Sequence, residues 1–333
     1  MASCASLFAR GAGVIKASSI EPCDSVYLSP HGDDALLSCA ARLLSEARRG
    51  QSVLVVSVFA PPGSGGGAVP LLGEPFAGRP IRHLSLGIPE ARRRNSFYSS
   101  FRSLTYGRHP EDETWLKEAV ETLDEVGHRS RARQVYVPLG VGGHIDHRLC
   151  HEAALRSLRS GDGRNVFLYE ERPEALVPGA VRIRLGELGA RLPPAASHAA
   201  EEAGLARFLF RFHVPPAFRG DLGSWAEVLW AAPPAARQWR KARAWRPQKG
   251  FGPRLQPVVH AVDGEELAAV RTLASGNVGG TRRSAKRLEK MAAAYARGLG
   301  RQPYAERYWL LLPPRESDGE LPLPRPGERE LAS

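Results

Sequence analysis

The 333-residue chain is poor in cysteine, methionine and lysine, with four, two and six of them. Cys4, Cys23, Cys39 and Cys150 contain no C-x-x-C pair and are too sparse for a disulfide framework, so they read as small buried side chains of a reducing compartment. Long apolar runs are also missing. Unbroken runs such as Val53–Val56 fall far short of the roughly 18–20 residues a membrane helix needs, which excludes a membrane span. The first twenty residues contain no acid but include Arg10 and Lys16; they lack the continuous apolar stretch of a secretory signal. They are expected to form an N-terminal extension of a cytoplasmic protein, an amphipathic transit peptide remaining the alternative. Acidic residues number 35 against 46 basic ones, a net charge of +11, which raises the prospect of an acidic partner. With 43% hydrophobic and 24% charged residues, a wholly disordered chain is excluded.

What is present begins as strand, turn, helix. Ser25–Ser29 is a short β-type run broken by Pro30 and Gly32. From Asp33 to Arg49, Leu36, Leu37, Ala40, Leu43, Leu44 and Ala47 recur at helical spacing, and Gly50 stops the helix. Ser52–Ala60 is nearly all apolar, as a strand covered on both faces is. Such a βαβ unit predicts an α/β fold with a mostly parallel, Rossmann-like sheet between helical layers, and ligand sites beyond the carboxyl ends of the strands. A second helix is predicted over Asp112–Val126, a strand over Gln134–Pro138, a helix over about His147–Leu158, and further strands over Asn165–Glu170 and Val181–Leu185. Pro61–Pro80 reads as a long loop, and its Gly63–Gly67 run lacks the Gly-Lys-Ser/Thr of a phosphate-binding loop. From about Pro193 the alternation weakens into helical and loop-like decoration, with an amphipathic helix marked by Leu288, Met291, Ala292, Tyr295 and Leu299. The expected organisation is an extension (1–22), one domain (23–312) with its core in 23–190 and decoration in 191–312, and a polar Pro-rich tail (313–333).

Two polar clusters fall at predicted strand ends: Pro30-His31-Gly32-Asp33-Asp34 and Gly142-Gly143-His144-Ile145-Asp146-His147. Together they offer three histidines and three carboxylates. Three protein ligands and an open position make a catalytic divalent-metal site, and the remaining side chains include a carboxylate and a histidine for proton transfer. Each cluster alone also suits helix capping or a solvated turn.

Ser29-Pro-His-Gly-Asp-Asp-Ala-Leu-Leu-Ser38 resembles the first motif of the PIG-L/LmbE family of metal-dependent N-deacetylases, and Gly143-His-Ile-Asp-His-Arg148 resembles the second. Weaker similarities lie at Leu86–Arg94, at Tyr169-Glu-Glu-Arg-Pro173 and at Ala305-Glu-Arg-Tyr-Trp309. The resemblance therefore spans about residues 24–310. It implies hydrolysis of an N-acyl group on an amino sugar or similar amine, with Zn²⁺ or another divalent ion such as Fe²⁺. It also implies His31, Asp34 and His147 as metal ligands, Asp33 as general base, a protonated His144 as oxyanion stabiliser and general acid, and Asp146 as the holder of the His144 ring. Gly32 departs from the pattern, which usually has Pro or a larger apolar residue there, and this implies a looser turn.

Arg94, Tyr169 and Glu170 are candidate substrate contacts. His151, four residues beyond His147, is a weaker ligand candidate. The expected partner is a small N-acylated amine; the basic Arg92-Arg93-Arg94 run favours an anionic one. Arg237–Arg254 holds seven basic residues and no acid, interleaved with Trp239, Trp245 and Phe251. Its composition fits a nucleic-acid surface as an alternative, or a basic wall for an acidic substrate. A metal-dependent phosphoesterase is a further alternative, disfavoured because phosphoryl clamps usually recruit a second metal.

Overall fold

Strand β2 (Val53–Phe59) is buried along its whole length, as its nearly all-apolar sequence requires. It lies between β1 (Ser25–Ser29) and β3 (Arg82–Ile88), all parallel; β1 also pairs in parallel with β4 (Gln134–Pro138), and β4 with β5 (Asn165–Tyr169). Two further strands, β6 (Arg254–Ala261) and β7 (Ala305–Leu312), complete a seven-stranded sheet of order β3-β2-β1-β4-β5-β7-β6. Both make antiparallel pairs. The α/β, mostly parallel architecture is thus the predicted one. The computed structural model describes residues 20–60, 81–158, 163–193, 222–249, 251–277, 282–301 and 303–313. The expected extension up to residue 19, the Pro61–Pro80 loop and the tail beyond residue 313 lie outside them.

Side-chain alternation divides the core into two layers. On one face Val26, Leu28, Val56, Val135, Val137 and Leu168 pack with Leu116, Leu123, Leu149 and Ala153 of α4 (Asp112–Ser130) and α5 (Ile145–Ser157). On the other, Tyr27, Val55, Tyr136 and Tyr169 meet Leu36, Ala40 and Leu43 of α1 (Asp34–Arg48). The register pairs Tyr27 with Tyr136 and Tyr136 with Phe167, and their rings stack at 4.1 and 5.1 Å. Such cross-strand aromatic pairs each add about 0.5–1.5 kcal/mol beyond area burial. Their hydroxyls are satisfied too: Ser25, Tyr27 and Tyr136 donate to the buried carboxylate of Glu46, which also receives Arg42 Nε.

Short helices α2 (Ala91–Arg94) and α3 (Phe101–Tyr106) follow β3. Later come α6 (Ala180–Glu187), α7 (Leu222–Ala244), α8 (Gly264–Asn277) and α9 (Arg282–Gly298). Two expectations need correction. Val181–Leu185, predicted as a strand, lies in α6. Arg184 is buried and donates from Nε to the Leu139 carbonyl at 2.8 Å, so a helical face of Val181, Arg184 and Leu185 is what packs inward. The C-terminal half is more than decoration, because it supplies β6 and β7. Pro257 obscures β6 in the sequence, yet β6 is an edge strand, where a missing N–H costs no ladder bond.

Cys23, Cys39 and Cys150 are free and buried. No helix among the described residues is long and apolar enough to cross a membrane.

Candidate functional site

Neighbours β1 and β4 are the point where strand order reverses, and in open α/β sheets the crevice beyond such strand ends receives ligands. Three chain segments leave the sheet there: Pro30–Asp33 after β1, Leu139–His144 after β4, and Glu170–Arg172 after β5. The second is a glycine loop in which Gly140, Gly142 and Gly143 all have positive φ. At Gly143 a Cβ would also meet the Thr105 carbonyl at 3.0 Å, so both conformation and space require glycine. By contrast, a Cβ on Gly32 would touch nothing within 4 Å, so space does not demand glycine at that departure from the motif.

The two clusters predicted from the sequence meet. His31 Nδ1 lies 3.0 Å from Asp34 Oδ2, and His147 Nε2 lies 3.3 Å from the same oxygen. The rings of His31, His144 and His147 stand pairwise with centroids 5.3 Å apart, forming a triangle. Two donor sets have ligand atoms within 4.8 Å of one another: His31, Asp34 and His147, and His31, His144 and Asp146. Ligands about 2.1 Å from one tetrahedral ion stand about 3.4 Å apart, close to the distances observed in the first set. Its two imidazoles and one carboxylate are also the donor chemistry of a catalytic zinc site. The residues present therefore fit a divalent metal.

Asp33 occupies the N-cap position of α1 but makes no capping hydrogen bond. Ser29 takes over that work: its Oγ accepts from Ala35 N at 2.9 Å and donates to the His31 carbonyl. The Asp33 carboxylate is left without a capping role beside the His31, Asp34 and His147 cluster. Burial, and then the charge of Asp34, raise its pKa above the usual value, which makes it a stronger base.

Asp146 is placed differently from the expectation. Its carboxylate does not hold the His144 ring. Instead Oδ2 lies 3.1 Å from His31 Nε2 and accepts from Ala91 N at 3.0 Å, while Oδ1 stands 2.7 Å from Arg94 Nη1. What meets His144 is the Asp146 backbone: its N–H donates to His144 Nδ1 at 3.3 Å. That bond puts the proton of a neutral His144 on Nε2. Burial and the neighbouring His147 push the His144 pKa down to about 3, so the expected imidazolium is disfavoured here. His31 behaves oppositely. Burial alone lowers it, but its bonds to Asp146 and Asp34 prevail and raise it to about 9. Burial likewise opposes charge on Asp34, yet His147 and His31 hold its carboxyl well below the usual range.

The three candidate substrate contacts are all inside. Arg94 has a side chain only 1% exposed, and it bridges Asp146 and Asp112 beneath the site. Tyr169 is fully buried and donates to the Leu28 carbonyl at 2.8 Å. Glu170 accepts from Arg307 Nε at 2.6 Å, from Trp309 Nε1 at 2.7 Å, and from the Tyr295 hydroxyl. Each is committed to the fold rather than presented to a ligand. His151 is also outside the cluster, with Nδ1 2.8 Å from the Pro138 carbonyl. Trp239 and Trp245 are buried, which removes two of the three rings that a base-stacking surface needs.

Glu171 was missed. It accepts from Gly140 N at 2.5 Å and Val141 N at 3.1 Å, and its Oε1 lies 3.4 Å from His147 Nδ1. One carboxylate therefore fixes both the glycine loop and the His147 ring. Its place in Tyr169-Glu-Glu-Arg-Pro173 was visible, but which of the two glutamates turns toward the site depends on strand pleat. Glu174 was missed as well; burial raises its carboxyl to about 7 despite the opposing charge of His147.

No protein-family model and no curated protein matches the chain. Among solved structures it is similar to a deacetylase of teicoplanin biosynthesis in its bog complex, with TM-score 0.50 and 18% identity over 88% of this chain and 99% of that one. The zinc-inhibited form of teicoplanin deacetylase Orf2 gives 0.49 and 18% over the same shares. The N,N′-diacetylchitobiose deacetylase of Pyrococcus horikoshii gives 0.38 and 11%, over 87% and 84%. At such identity the likeness is one of fold. The chain has the architecture of the first of these deacetylases, the α/β fold that the motif resemblance implies.

Proposed function

We propose that the chain is a metal-dependent N-deacylase that removes an acyl group, acetyl foremost, from an amino sugar or an amino-sugar-containing metabolite. The observation that carries this is the meeting of His31 and His147 on one oxygen of Asp34, beside an Asp33 carboxylate with no structural task. The two motifs that resemble the PIG-L/LmbE family supply all of these residues. His31, Asp34 and His147 would hold Zn²⁺ or Fe²⁺, which when bound lowers the pKa of water toward ~7 and polarises an amide carbonyl.

The remaining chemistry belongs to the chain. Asp33 accepts a proton from the attacking water as the new C–O bond forms at the acyl carbon. The Nε2–H of neutral His144 donates to the oxygen that gains charge. The C–N bond then breaks while Asp33 returns its proton to the departing nitrogen, releasing a carboxylic acid and a free amine. Asp33, which already carries the proton taken from water, is thereby given the acid step that the resemblance assigns to His144, a ring that burial and His147 hold neutral in the metal-free protein. Asp146 positions His31 and His144 without touching the substrate.

Metal content by mass spectrometry and acetate release from N-acetylglucosaminides test the proposal together. Asp33→Asn should keep the metal and lose turnover, while His147→Ala should lose both. Metal binding and turnover that both survive without His147 would overturn it.

A further inference from the structure

Arg237–Arg254 holds seven of the basic residues and no acid, so the other 315 residues carry a net charge of only +4. The structure sorts this segment by direction. Ala235, Trp239, Ala242 and Trp245 turn inward, with Trp245 Nε1 donating to the Ala190 carbonyl at 3.0 Å. Arg237, Arg240, Lys241 and Arg243 turn outward, and the first three lie at i, i+3 and i+4 on one stripe of α7. Arg246 and Lys249 continue the exposed series beyond the helix. Among the described residues none of these six cations has a carboxylate partner. Phe251, next along, is 92% exposed. It is held rather than dangling: Gly252 N donates to the Gly189 carbonyl at 2.8 Å, and a Cβ on Gly252 would fall 1.9 Å from the Leu188 carbonyl. The chain beside Phe251 is pressed onto the end of α6.

We propose that the outward face of Arg237–Phe251 is a docking surface for the anionic headgroups of a lipid bilayer. Six cations spread along a helix and the turn after it do not converge on one small anion; they match an extended negative surface. A lone exposed ring among basic residues suits the boundary between headgroups and acyl chains. Single-stranded nucleic acid needs a series of rings for successive bases, and here Trp239 and Trp245 are committed to the interior. Docking would take place next to the candidate site. Gln238 of the same helix lines a concavity with Gly142 and Gly143, the residues that precede His144. The surface stands independently of the deacylase assignment, since none of its residues belongs to the metal cluster.

Flotation of the full chain with phosphatidylcholine vesicles, with and without phosphatidylglycerol, tests this. Binding should require phosphatidylglycerol and weaken as salt shortens the Debye length below about 10 Å. Arg237→Gln, Arg240→Gln and Lys241→Gln should each weaken partition about 5-fold, and together about 100-fold. Phe251→Ser should weaken it with the melting temperature unchanged, which keeps the test open should the triple variant fail to fold. Equal partition to neutral vesicles, no binding to anionic ones at low salt, or indifference to these substitutions would overturn the proposal. Binding to single-stranded DNA with a steep salt dependence, and to no vesicle, would assign the face to nucleic acid and overturn it equally.

Discussion

Arg94 Nη1 stands 2.7 Å from Asp146 Oδ1, with both side chains almost wholly buried. The guanidinium also faces Asp112 at 3.5 Å and lies over the Phe59 ring at 4.8 Å. Asp146 in turn reaches His31, so a charge placed in α2 fixes the His31 ring at the end of β1. Arg94→Met should leave two buried carboxylates short of their cation and destabilise the fold by about 3–5 kcal/mol, measurable by urea unfolding. Arg94→Lys should recover only part of this, because an ammonium cannot span both partners as a planar fork does. Stability within about 0.5 kcal/mol of the parent would contradict the bridge.

Asp33→Asn should lower turnover about 10²–10⁴-fold with metal content unchanged. Its melting temperature should hold, since the side chain makes no capping bond to α1. A large loss of stability would instead show a structural cap.

Glu171→Gln should weaken metal affinity about 10–100-fold, read by competition with a chelator. The physical cause is a less firmly held His147 ring, together with a loosened Gly140–Val141 turn. Unchanged affinity would remove Glu171 from the site.

Glu306 accepts from Ala41 N at 2.8 Å and Arg42 N at 3.0 Å, the amides freed where α1 is interrupted at Cys39 (φ −124°, ψ 18°). Glu306→Ala should orphan these buried donors and cost about 1–3 kcal/mol. Equilibrium unfolding that matches the parent would rule this out.

The metal-free protein should be most stable near pH 6.5. His31 keeps its proton to about 9, above its ordinary 6.5, so its contribution is complete below pH 6.5 and lost as pH rises to 9. Glu174, raised from 4.5 to about 7 by burial, contributes fully below pH 4.5 and loses that contribution as pH rises to 7, which offsets part of the acid-side gain without moving the optimum. His144 and His151 act on the other side. Burial holds both near 3, so their contributions are complete above pH 6.5 and vanish as pH falls toward 3. Melting temperatures in EDTA should therefore fall on both sides. A steady rise through pH 9 would contradict the His31 environment.

Local pattern revealed the sheet where local pattern was the cause. Val53–Phe59 reads as a strand buried on both faces because every residue in it is apolar or small, and α1 reads as a helix from its leucine spacing. Val181–Leu185 misleads for the opposite reason: Arg184 looks outward-facing until the Leu139 carbonyl supplies its partner. Trp239 and Trp245 misled similarly, since composition gives the arginines and tryptophans of one segment no direction.

The sequence by itself determined the βαβ start, the two histidine–aspartate clusters and the net charge, all carried by residues close together in the chain. Only the tertiary structure decided which carboxylates are free and which are tied. Asp33 is uncommitted because Ser29 caps the helix in its stead. Asp146 is held by Arg94 and Glu170 by Arg307, across 52 and 137 residues, and such partners are chosen by packing rather than by spacing.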